Sequence, residues 1–420
     1  MTPRKLVLVG CAFLALMASC REREQVSPQV PITATRISGR VTVLECLDVN
    51  VTAVATRKGI LLIDTHRSPS LMAEIAKEIE RLLGRRDVKY LINTHSDPDH
   101  CSGNQVFPGA LLIAHQNCPA SLAHSRADSP LGLWDARLLL EEARKRASAP
   151  SQDAEEARTL GGEVRAREML LADLQGRYVP TPPSLTFEDH LTLDLGDVHA
   201  ELRFCGEAHT NNDIFVYIPE EKVLLTGDLF CSPPSLCFRV NPLADVPRLV
   251  SVIDDLLGRD TGLEHVIPGH GPPMTRADLA GLRDALAERY AAFRGKRSSA
   301  QLLGRMIEES GIEAGVAGYR RLVSDKSGET YRSEEEFDLL GRRFLGKGMP
   351  KEAIAVFELS LEAFPDSSLL HSSLAGALVE SGDARSAIVN YEKALALSPA
   401  SADVAEMLRV LREKGGRGPD

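Results

Sequence analysis

Four short clusters of histidine and aspartate hold the side chains of this sequence that are best suited to bind metal ions. The densest spans residues 93–100 and reads NTHSDPDH, so four imidazole or carboxylate groups fall within six residues. The other three read EAHT at 207–210, TGDL at 226–229 and PGHG at 268–271. Imidazole and carboxylate groups are common ligands of divalent cations, and this density brings ligands for two neighbouring ions within reach.

Each cluster lies where the pattern of an apolar strand ends. The first follows a strand predicted at 88–92, and the third follows an apolar run at 222–226. Glycines beside Asp228 and His270 permit tight turns that direct a side chain into a cleft. The remaining histidines have no such partners, and we expect structural roles for them. They are His66, His115, His124, His190, His199, His265 and His371.

In this order the clusters resemble the motifs of the metallo-β-lactamase superfamily. That family's first motif usually reads H-x-H-x-D-H and is followed by a single His, then Gly-Asp, then Gly-His. The resemblance covers about residues 36–293, and four motifs in the right order are highly specific. It implies an α+β fold, a four-layer αβ/βα sandwich with the site at the loop edge of its sheets. We expect residues 37–293 to form this domain.

The resemblance also implies a ligand set for two metal ions. The expected ligands of one ion are His95, Asp97 and His209, those of the other are Asp99, His100 and His270, and Asp228 would bridge both. Two cations about 3.5–4 Å apart make hydroxide available near neutral pH and polarise a substrate oxygen, so no serine or cysteine nucleophile is needed. Asp99 is also the predicted catalytic residue, because it could orient the attacking water or move its proton.

Asp97 departs from the family pattern, which has a second histidine at this position. A carboxylate makes that site harder and more anionic, which favours iron or manganese relative to zinc. Flavodiiron relatives use Glu there to bind iron, but nothing in this chain resembles their flavodoxin module. We therefore predict two divalent ions, Zn²⁺ first, with Fe or Mn as alternatives. A one-metal or inactive site is a further alternative, against which the six other ligands argue.

The predicted activity is hydrolysis of a small-molecule ester, lactone, phosphoester or amide by a metal-bound hydroxide. Fold alone does not identify the substrate. A β-lactamase is one alternative, although Asp228 counts against it because β-lactamase branches typically lack that aspartate. An iron-dependent oxidoreductase of the same fold is favoured by Asp97. The third alternative is a non-enzymatic interaction protein of the cell envelope.

The N-terminal segment, 1–20, resembles a bacterial lipoprotein signal peptide. Two basic residues precede an apolar run at 6–18 that is too short for a stable transmembrane span. Small residues lead to Cys20, which would carry the lipid; plain secretion is the alternative. Residues 21–36 are predicted to be a tether. These features predict a protein of the bacterial cell envelope, lipid-anchored on the periplasmic or extracellular face of a membrane.

Export would place the later cysteines where disulfides form. None has the C-x-x-C spacing of a structural zinc site, and pairs are not assigned by sequence, so we expect buried or free thiols. These cysteines are Cys46, Cys101, Cys118, Cys205, Cys231 and Cys237. Cys101 and Cys231 lie close to predicted metal ligands in the sequence, and we expect them to pack there rather than bind metal.

The elements that must position the clusters alternate between strand and helix, which favours helices layered on sheets. A helix is predicted at 68–83, where Leu71, Ile75 and Ile79 recur at helical spacing. An insertion at about 131–177, rich in Ala, Leu, Glu and Arg, is predicted to be helical. Strands are predicted at 41–47, 51–55, 60–63, 88–92, 185–187, 191–195, 199–204, 214–218 and 222–226.

The C-terminal part contains an internal repeat of constant period. Gly348, Ala353, Ile354, Phe357, Leu361 and Pro365 recur, at the same offset, as Gly382, Ala387, Ile388, Tyr391, Leu395 and Pro399. The offset is the one typical of tetratricopeptide repeats, and it predicts a repeat module at 334–413, after a helical linker at 294–333. Helices within 300–322 and 402–411 would cap its ends. The module either stabilises the hydrolase domain or binds a protein or peptide partner.

Length and charge narrow the remaining function classes. The chain has 420 residues, 43% of them hydrophobic, which is enough for two domains with full cores. Its 49 basic and 59 acidic residues give a net charge of −10 without a basic stripe. We therefore predict no nucleic-acid partner.

Overall fold

The computed structural model describes residues 29–124, 130–149, 153–176, 178–206, 208–230, 246–258, 262–292, 297–324, 330–399 and 401–415. The predicted signal peptide and Cys20 lie outside these residues, as do Glu207, Cys231 and Cys237. None of the helices within the described ranges is long and apolar enough to cross a membrane.

The N-terminal part of the described chain forms a seven-stranded mixed sheet. Its strands, in both spatial and chain order, are β1 (Thr33–Arg36), β2 (Val41–Cys46), β3 (Val49–Thr56), β4 (Gly59–Ile63), β5 (Val88–Ile92), β6 (Leu111–His115) and β7 (Leu185–Phe187). Neighbouring strands are antiparallel from β1 to β4 and parallel from β4 to β7. Strand β4 is buried along its whole length, as its continuous apolar sequence requires.

A second, six-stranded sheet follows in the chain. Its strands are β8 (His190–Asp194), β9 (His199–Phe204), β10 (Ile214–Ile218), β11 (Val223–Gly227), β12 (His265–Pro268) and β13 (Met274–Thr275). Strands β8 to β11 pair antiparallel, β11 and β12 pair parallel, and β13 closes the sheet antiparallel to β12. Each sheet therefore has a parallel region in which neighbouring strands end at the same edge.

The two sheets pack face to face, with helices on their outer faces. One apolar core joins inner-face residues of both sheets, such as Ile63 and Ile92 from the first and Ile214 and Leu225 from the second. A second core lies between the first sheet and its helices, and a third lies between the second sheet and α6 (Val246–Gly258) and α7 (Arg276–Ala292). This is a sandwich of mixed sheets and helices, as the sequence predicts.

Helix α1 (Pro69–Leu83) shows how local sequence produces one of these outer layers. The Ser68 hydroxyl accepts a hydrogen bond from the Leu71 amide at 3.1 Å, and Gly84 ends the helix at φ +66°. Leu71, Ile75 and Ile79 are fully or almost fully buried against the first sheet. Each contributes about 1.5–3 kcal/mol by leaving water.

The predicted insertion is a pair of helices between β6 and β7, α4 (Pro130–Ser148) and α5 (Ala154–Leu174); the short α2 (Pro98–Cys101) and α3 (Cys118–His124) precede it. The buried carboxylate of Asp173 on α5 accepts hydrogen bonds from the Ser68 and Ser70 hydroxyls at the start of α1. The insertion is therefore attached to the helix that follows β4.

The predicted tether is wrong at its C-terminal end. Residues 33–36 form β1, which pairs antiparallel with β2 along its whole length. All four β1 residues are exposed, so the hydrophobic pattern that marks a half-buried strand is absent there. Main-chain hydrogen bonds to β2 hold this strand in place.

The C-terminal part is all-helical, and its helices share one apolar core. They are α8 (Ser299–Ser310), α9 (Ile312–Ser324), α10 (Glu334–Gly346), α11 (Pro350–Ala363), α12 (Ser368–Ser381), α13 (Ala384–Leu397) and α14 (Ala402–Gly415); the short strands β14 (Arg297–Ser298) and β15 (Thr330–Tyr331) pair beside α8. Leu303 of α8 and Tyr319 of α9 are buried in the same core as Phe337 and Phe357. Residues 299–324 therefore belong to this helical region and are more than a linker.

The cysteines within the described ranges behave as buried thiols. They are Cys46, Cys101, Cys118 and Cys205, all free and all buried. Burial raises the pKa of the Cys46 thiol to about 12, with help from Glu45. Cys101 donates a hydrogen bond to the His95 carbonyl at 3.0 Å and so packs beneath the first cluster.

Candidate metal centre

The four His/Asp clusters meet at one edge of the sandwich because the strands that precede them end there. β5 leads into the loop at residues 93–97, and β11 leads into Asp228. β12 runs parallel to β11 and leads into His270. Main-chain hydrogen bonds join these loops: the Ile214 amide donates to the Thr94 carbonyl, and the Gly269 amide donates to the Gly227 carbonyl.

One half of the cluster, which we call the buried half, consists of Asp99, His100, His270 and Asp228. His100 Nε2 lies 3.1 Å from Asp228 Oδ1 and 3.3 Å from His270 Nε2. His270 Nε2 is 3.3 Å from Asp228 Oδ1 and 3.4 Å from Asp99 Oδ2. The side chains of His100 and Asp228 are at most 1% exposed.

The other half, which we call the open half, consists of His95, Asp97 and His209. His209 Nε2 lies 3.0 Å from Asp97 Oδ2 and 3.8 Å from Asp228 Oδ2. His95 Nε2 is 3.6 Å from Asp97 Oδ2. Asp97 keeps 40% of its side chain exposed, which makes it the most accessible of the seven predicted ligands.

The seven predicted ligands form three overlapping groups whose donor atoms lie within 4.8 Å of one another. The groups are His95, Asp97 and His209; Asp99, His100 and His270; and His95, His100 and Asp228. The first two are the sets that the sequence assigned to two ions, and the third joins them through Asp228. Metal occupancy itself stays a prediction.

The residues present fit divalent metal ions. His95 Nε2 is buried and has no hydrogen-bond partner in the described part of the chain, an arrangement that costs about 1–3 kcal/mol unless a further group binds there. A Cβ atom at Gly269 would lie 2.2 Å from Asp228 Oδ1 and 2.8 Å from the His100 ring. Glycine therefore keeps this side of the cluster clear, and the mixed nitrogen and oxygen donors suit zinc, iron or manganese.

The carboxylates of the cluster also favour the binding of positive charge at this site. Burial alone would lower the pKa of each histidine, but neighbouring carboxylates raise the pKa of His209 to about 10 and that of His270 to about 9. Asp228 and Asp64 likewise raise the pKa of His100. Burial opposes ionisation of Asp97 too, yet His209 and His95 hold its pKa below the usual value. The cluster thus attracts protons where cations would bind.

Sequence reasoning missed Asp64, the residue that orients one histidine of each half. His100 Nδ1 donates to Asp64 Oδ2 at 3.1 Å, which leaves Nε2 to face the cluster. The Thr94 hydroxyl donates to Asp64 Oδ2 at 2.7 Å and lies 3.0 Å from His95 Nδ1. His95 Nδ1 is therefore the donor to Thr94, and its Nε2 also remains available for a metal.

His270 depends on a part of the chain that is distant in the sequence. Its Nδ1 donates to the Asp48 carbonyl at 2.6 Å. Asp48 belongs to the tight turn between β2 and β3, in which Leu47 and Asp48 both have positive φ. The buried Asn50 side chain donates to the Pro268 and Gly271 carbonyls at 3.0 and 2.7 Å. This hairpin therefore holds the His270 loop.

The His209 loop has its own support. The Asp213 carboxylate accepts hydrogen bonds from the amide and the hydroxyl of Thr210 at 2.7 and 2.8 Å. Asn212 Nδ2 donates to Ser96 Oγ at 3.0 Å, which joins this loop to the first cluster. Gly227, at φ +54°, allows the end of β11 to lie close to Thr94. A Cβ atom at this position would lie 2.5 Å from Thr94 Oγ1.

Two other histidines predicted to be structural have both ring nitrogens occupied. His66 contacts the Cys46 carbonyl through Nε2 and accepts from the Ser68 amide through Nδ1. Burial lowers the pKa of His66 to about 4. His115 donates to the Glu188 carbonyl and accepts from the Asn117 amide. Neither ring is among the groups with metal-binding geometry in the described residues.

Comparison with known proteins agrees with this arrangement. The family model described as the metallo-beta-lactamase superfamily matches residues 44–286. Metallo-beta-lactamase type 2 of Bacillus cereus is 24% identical over 242 residues, which span 58% of this chain and 74% of that protein.

Two solved structures are also similar. A metallo-beta-lactamase from Pontibacter korlensis is 19% identical, with a TM-score of 0.42 over 61% of this chain and 99% of its own. A double mutant of a sec-alkyl sulfatase is 16% identical, with a TM-score of 0.46 over 92% of this chain and 62% of its own.

Proposed function

The chain belongs to the metallo-β-lactamase superfamily, and from that membership we propose that it is a hydrolase that holds two divalent metal ions. The observation that carries the proposal is the convergence of seven His and Asp donors from four loops into overlapping groups within 4.8 Å. The buried Nε2 of His95, which lacks a partner among the described residues, supports it, because a buried polar atom without a partner is costly unless a ligand satisfies it.

The chain's own residues divide the work between binding and proton transfer. His95, Asp97 and His209 would hold one ion, and the buried half would hold the other, with Asp228 shared. Bound divalent ions would acidify a water molecule and polarise the scissile bond's oxygen. Asp99 is placed to take a proton, since its Oδ2 faces the cluster while Oδ1 faces outward towards Arg67.

The proposed substrates are small-molecule esters, lactones, phosphoesters or amides. The curated relative from Bacillus cereus is named a metallo-beta-lactamase, so a β-lactam is an alternative amide substrate. Identity of 24% does not decide between these substrates, because the fold accepts many reactions by changes in its loops.

An iron-dependent oxidoreductase is a second candidate function, and Asp97 is the observation that favours it. A carboxylate where the family usually has an imidazole increases the share of hard oxygen donors. Asp97 is also the most exposed ligand, so its negative charge is only partly desolvated. Iron in the purified protein together with oxygen consumption would support this candidate over the hydrolase.

We also propose that the helical C-terminal part is a tetratricopeptide-repeat module. Helices α10 and α12 begin one repeat period apart, at 334 and 368, and so do α11 and α13, at 350 and 384. The repeated residues Ala353, Phe357, Ala387 and Tyr391 are all buried in its core. Such a module would either stabilise the catalytic domain or bind a protein partner; if binding is the chain's whole function, variants of the metal ligands will keep the cellular phenotype.

Membrane attachment through Cys20 in the bacterial cell envelope completes the proposal. It is tested by replacing Cys20 with Ser in cells fed a radiolabelled or alkyne-tagged fatty acid. The wild-type chain should incorporate the label and fractionate with membranes, whereas Cys20→Ser should do neither. Equal labelling of the two chains would contradict the anchor.

The central experiment is elemental analysis of the mature protein combined with a substrate panel. The panel contains an ester, a lactone, a phosphodiester, an alkyl sulfate and a β-lactam. About two zinc or manganese ions per chain with turnover of any substrate is the expected result. Iron without hydrolysis would favour the oxidoreductase. Absence of bound metal after reconstitution would overturn both metal-dependent functions.

A further inference from the structure

Arg67 stands at the outer side of the metal cluster. It lies between β4 and α1, and its Nη2 is 4.0 Å from Asp99 Oδ1. At this distance the two groups form an ion pair but no hydrogen bond. The guanidinium donates no hydrogen bond to any residue in the described ranges, and its side chain is 39% exposed. A guanidinium group with unused hydrogen-bond donors therefore borders the cluster.

Other arginines of this protein show what a fully paired guanidinium looks like. Arg85 donates two hydrogen bonds of 2.6 Å to Asp87, and Arg283 donates hydrogen bonds of 2.6 and 3.0 Å to Asp254. Arg67 has no such partner within the described part of the chain. Bidentate pairing with an oxyanion is the interaction that its geometry leaves open.

The backbone around Arg67 is held rigidly. Thr65 donates through its amide and its hydroxyl to the His100 carbonyl at 2.9 and 3.1 Å. His66 and Ser68, on either side of Arg67, are buried and hydrogen-bonded, and Pro69 follows. The backbone that carries Arg67 is therefore fixed beside the cluster, and only the side chain has to be ordered when a ligand binds.

The charge of the site also assigns Arg67 a role. Among the described residues, the carboxylates of Asp97, Asp99 and Asp228 belong to the cluster, and those of Asp64 and Asp48 lie 3.1 Å from His100 and 3.8 Å from His270. Two divalent cations would offset most of this negative charge. Arg67 adds a positive charge at the outer side of the cluster, beside Asp99. A guanidinium in that position can attract the anionic group of a ligand.

We propose that Arg67 binds an oxyanion of the substrate, so that the preferred substrates carry a carboxylate, phosphoryl or sulfate group next to the bond that is cleaved. This inference rests on the proposed hydrolase function and adds a substrate class to it. Arg67 is a specificity-determining residue in this scheme. It positions the anionic substrate over the buried half and leaves the bond-breaking chemistry to the cluster.

The test compares wild type with Arg67→Gln and Arg67→Lys in the metal-loaded full chain. The substrates are neutral p-nitrophenyl acetate, anionic mono-p-nitrophenyl glutarate and the phosphodiester bis-p-nitrophenyl phosphate. Arg67→Gln should raise KM for the anionic substrates about ten- to a hundredfold, because charge-assisted hydrogen bonds are lost. The KM for the neutral ester should change far less than the KM for the anionic substrates, so the ratio of the two KM values reports the anion site whatever happens to kcat. Arg67→Lys should recover part of the lost affinity, since lysine keeps the positive charge but lacks the bidentate guanidinium group.

A binding measurement tests the same site without turnover. Calorimetric titration with sodium acetate and with sodium sulfate should show about tenfold weaker binding to Arg67→Gln than to wild type at equal metal content. Acetate and sulfate separate a preference for planar carboxylates from one for tetrahedral anions. Arg81→Gln, which removes an exposed arginine paired with Glu78 on α1, is the matched control and should bind as wild type does.

The outcomes separate this inference from the function on which it rests. Equal loss of turnover for neutral and anionic substrates in Arg67→Gln, with lowered metal content, would mean that Arg67 only supports Asp99 and would overturn the anion site. Unchanged anion binding in Arg67→Gln would overturn it as well. A wild-type protein without hydrolytic activity whose anion binding depends on Arg67 would refute the hydrolase and keep the anion site.

Discussion

The two halves of the His/Asp cluster differ in the solvent exposure of their carboxylates. In the buried half, His100 and Asp228 are shielded almost completely, and the Asp228 carboxylate is surrounded by imidazoles. In the open half, Asp97 remains in contact with solvent. A buried carboxylate is tolerated only where several cationic or polar groups surround it, whereas an exposed one keeps part of its hydration. The departure from the family pattern therefore occurs where an additional negative charge costs least.

The halves also differ in their support. The buried half is held by groups far apart in the sequence: Asp64 orients His100, and the Asp48 carbonyl orients His270. The open half is supported by the loop around His209, in which Asp213 accepts from Thr210 and Asn212 donates to Ser96, and it depends on Asp64 only indirectly, through Thr94. We expect the buried half to bind its ion more rigidly and the open half to set metal preference.

The largest expected effect comes from removing one ligand of each half. His270→Ala and His95→Ala should each lower turnover by at least about a thousandfold, because bound ions supply several kcal/mol of transition-state stabilisation. His270→Ala should lose metal from the buried half and His95→Ala from the open half. Elemental analysis and steady-state kinetics measure both effects, with circular dichroism to verify the fold. Unchanged turnover of His95→Ala would refute its role as a ligand.

The support that Asp64 gives to His100 directly, and to His95 through Thr94, is tested by Asp64→Asn. The amide has one acceptor oxygen, so it cannot accept from the Thr94 backbone amide as well as from the His100 ring and the Thr94 hydroxyl, which the two carboxylate oxygens do together. Metal affinity should therefore fall about ten- to a hundredfold. Asp48→Asn is the matched control. Its side chain is 76% exposed and lies 3.8 Å from His270 Nδ1, whereas its backbone carbonyl, which the change keeps, accepts the 2.6 Å hydrogen bond from that atom. This change should therefore alter affinity by no more than about twofold. Competition with a chromogenic chelator measures both, and equal losses in the two variants would contradict the assigned support.

Lowering the pH should destabilise the folded protein through His66. Its pKa is about 4 in the folded protein because of burial, but about 6.5 when unfolded. The unfolded chain therefore binds the proton first, and stability falls as the pH drops from about 6.5 towards 4, by roughly 2–3 kcal/mol.

Urea unfolding of the metal-free protein at pH 7 and pH 5 measures this loss. His66→Gln keeps one donor and one acceptor but does not titrate, so its stability should change less over the same interval. Equal acid sensitivity in wild type and variant would assign the loss to other groups.

The smallest expected effect concerns the open half. Asp97→His restores the family's usual ligand, so the variant should still bind metal and its preference should shift towards zinc over iron or manganese by about tenfold. Because position 97 is partly exposed, thermal stability should change little. Competitive loading with equimolar metals, followed by elemental analysis, gives the ratio. An unchanged ratio would show that Asp97 does not set metal preference.

The sequence by itself determined the clusters that carry the candidate ligands and the elements that precede them, whereas their meeting at one site was implied by the resemblance to the metallo-β-lactamase superfamily. The clusters stand in short windows after apolar runs, and the predicted strands at 88–92, 199–204 and 214–218 match the structure in their bounds. The helix at 68–83 and the helical insertion at 131–177 were also predictable. These features depend on interactions between residues close in the chain, for which periodicity and turn residues are sufficient signals.

Only the tertiary structure decided which groups orient the ligands. Asp64 stands alone after a strand, and nothing local marks it as the partner of Thr94 and His100, which follow much later in the chain. The Asp48 carbonyl and Arg67 have equally little local signal. The register of parallel strands and the packing of one sheet on the other set these contacts. Both depend on pairing between distant segments, and a pattern read along the chain does not contain it.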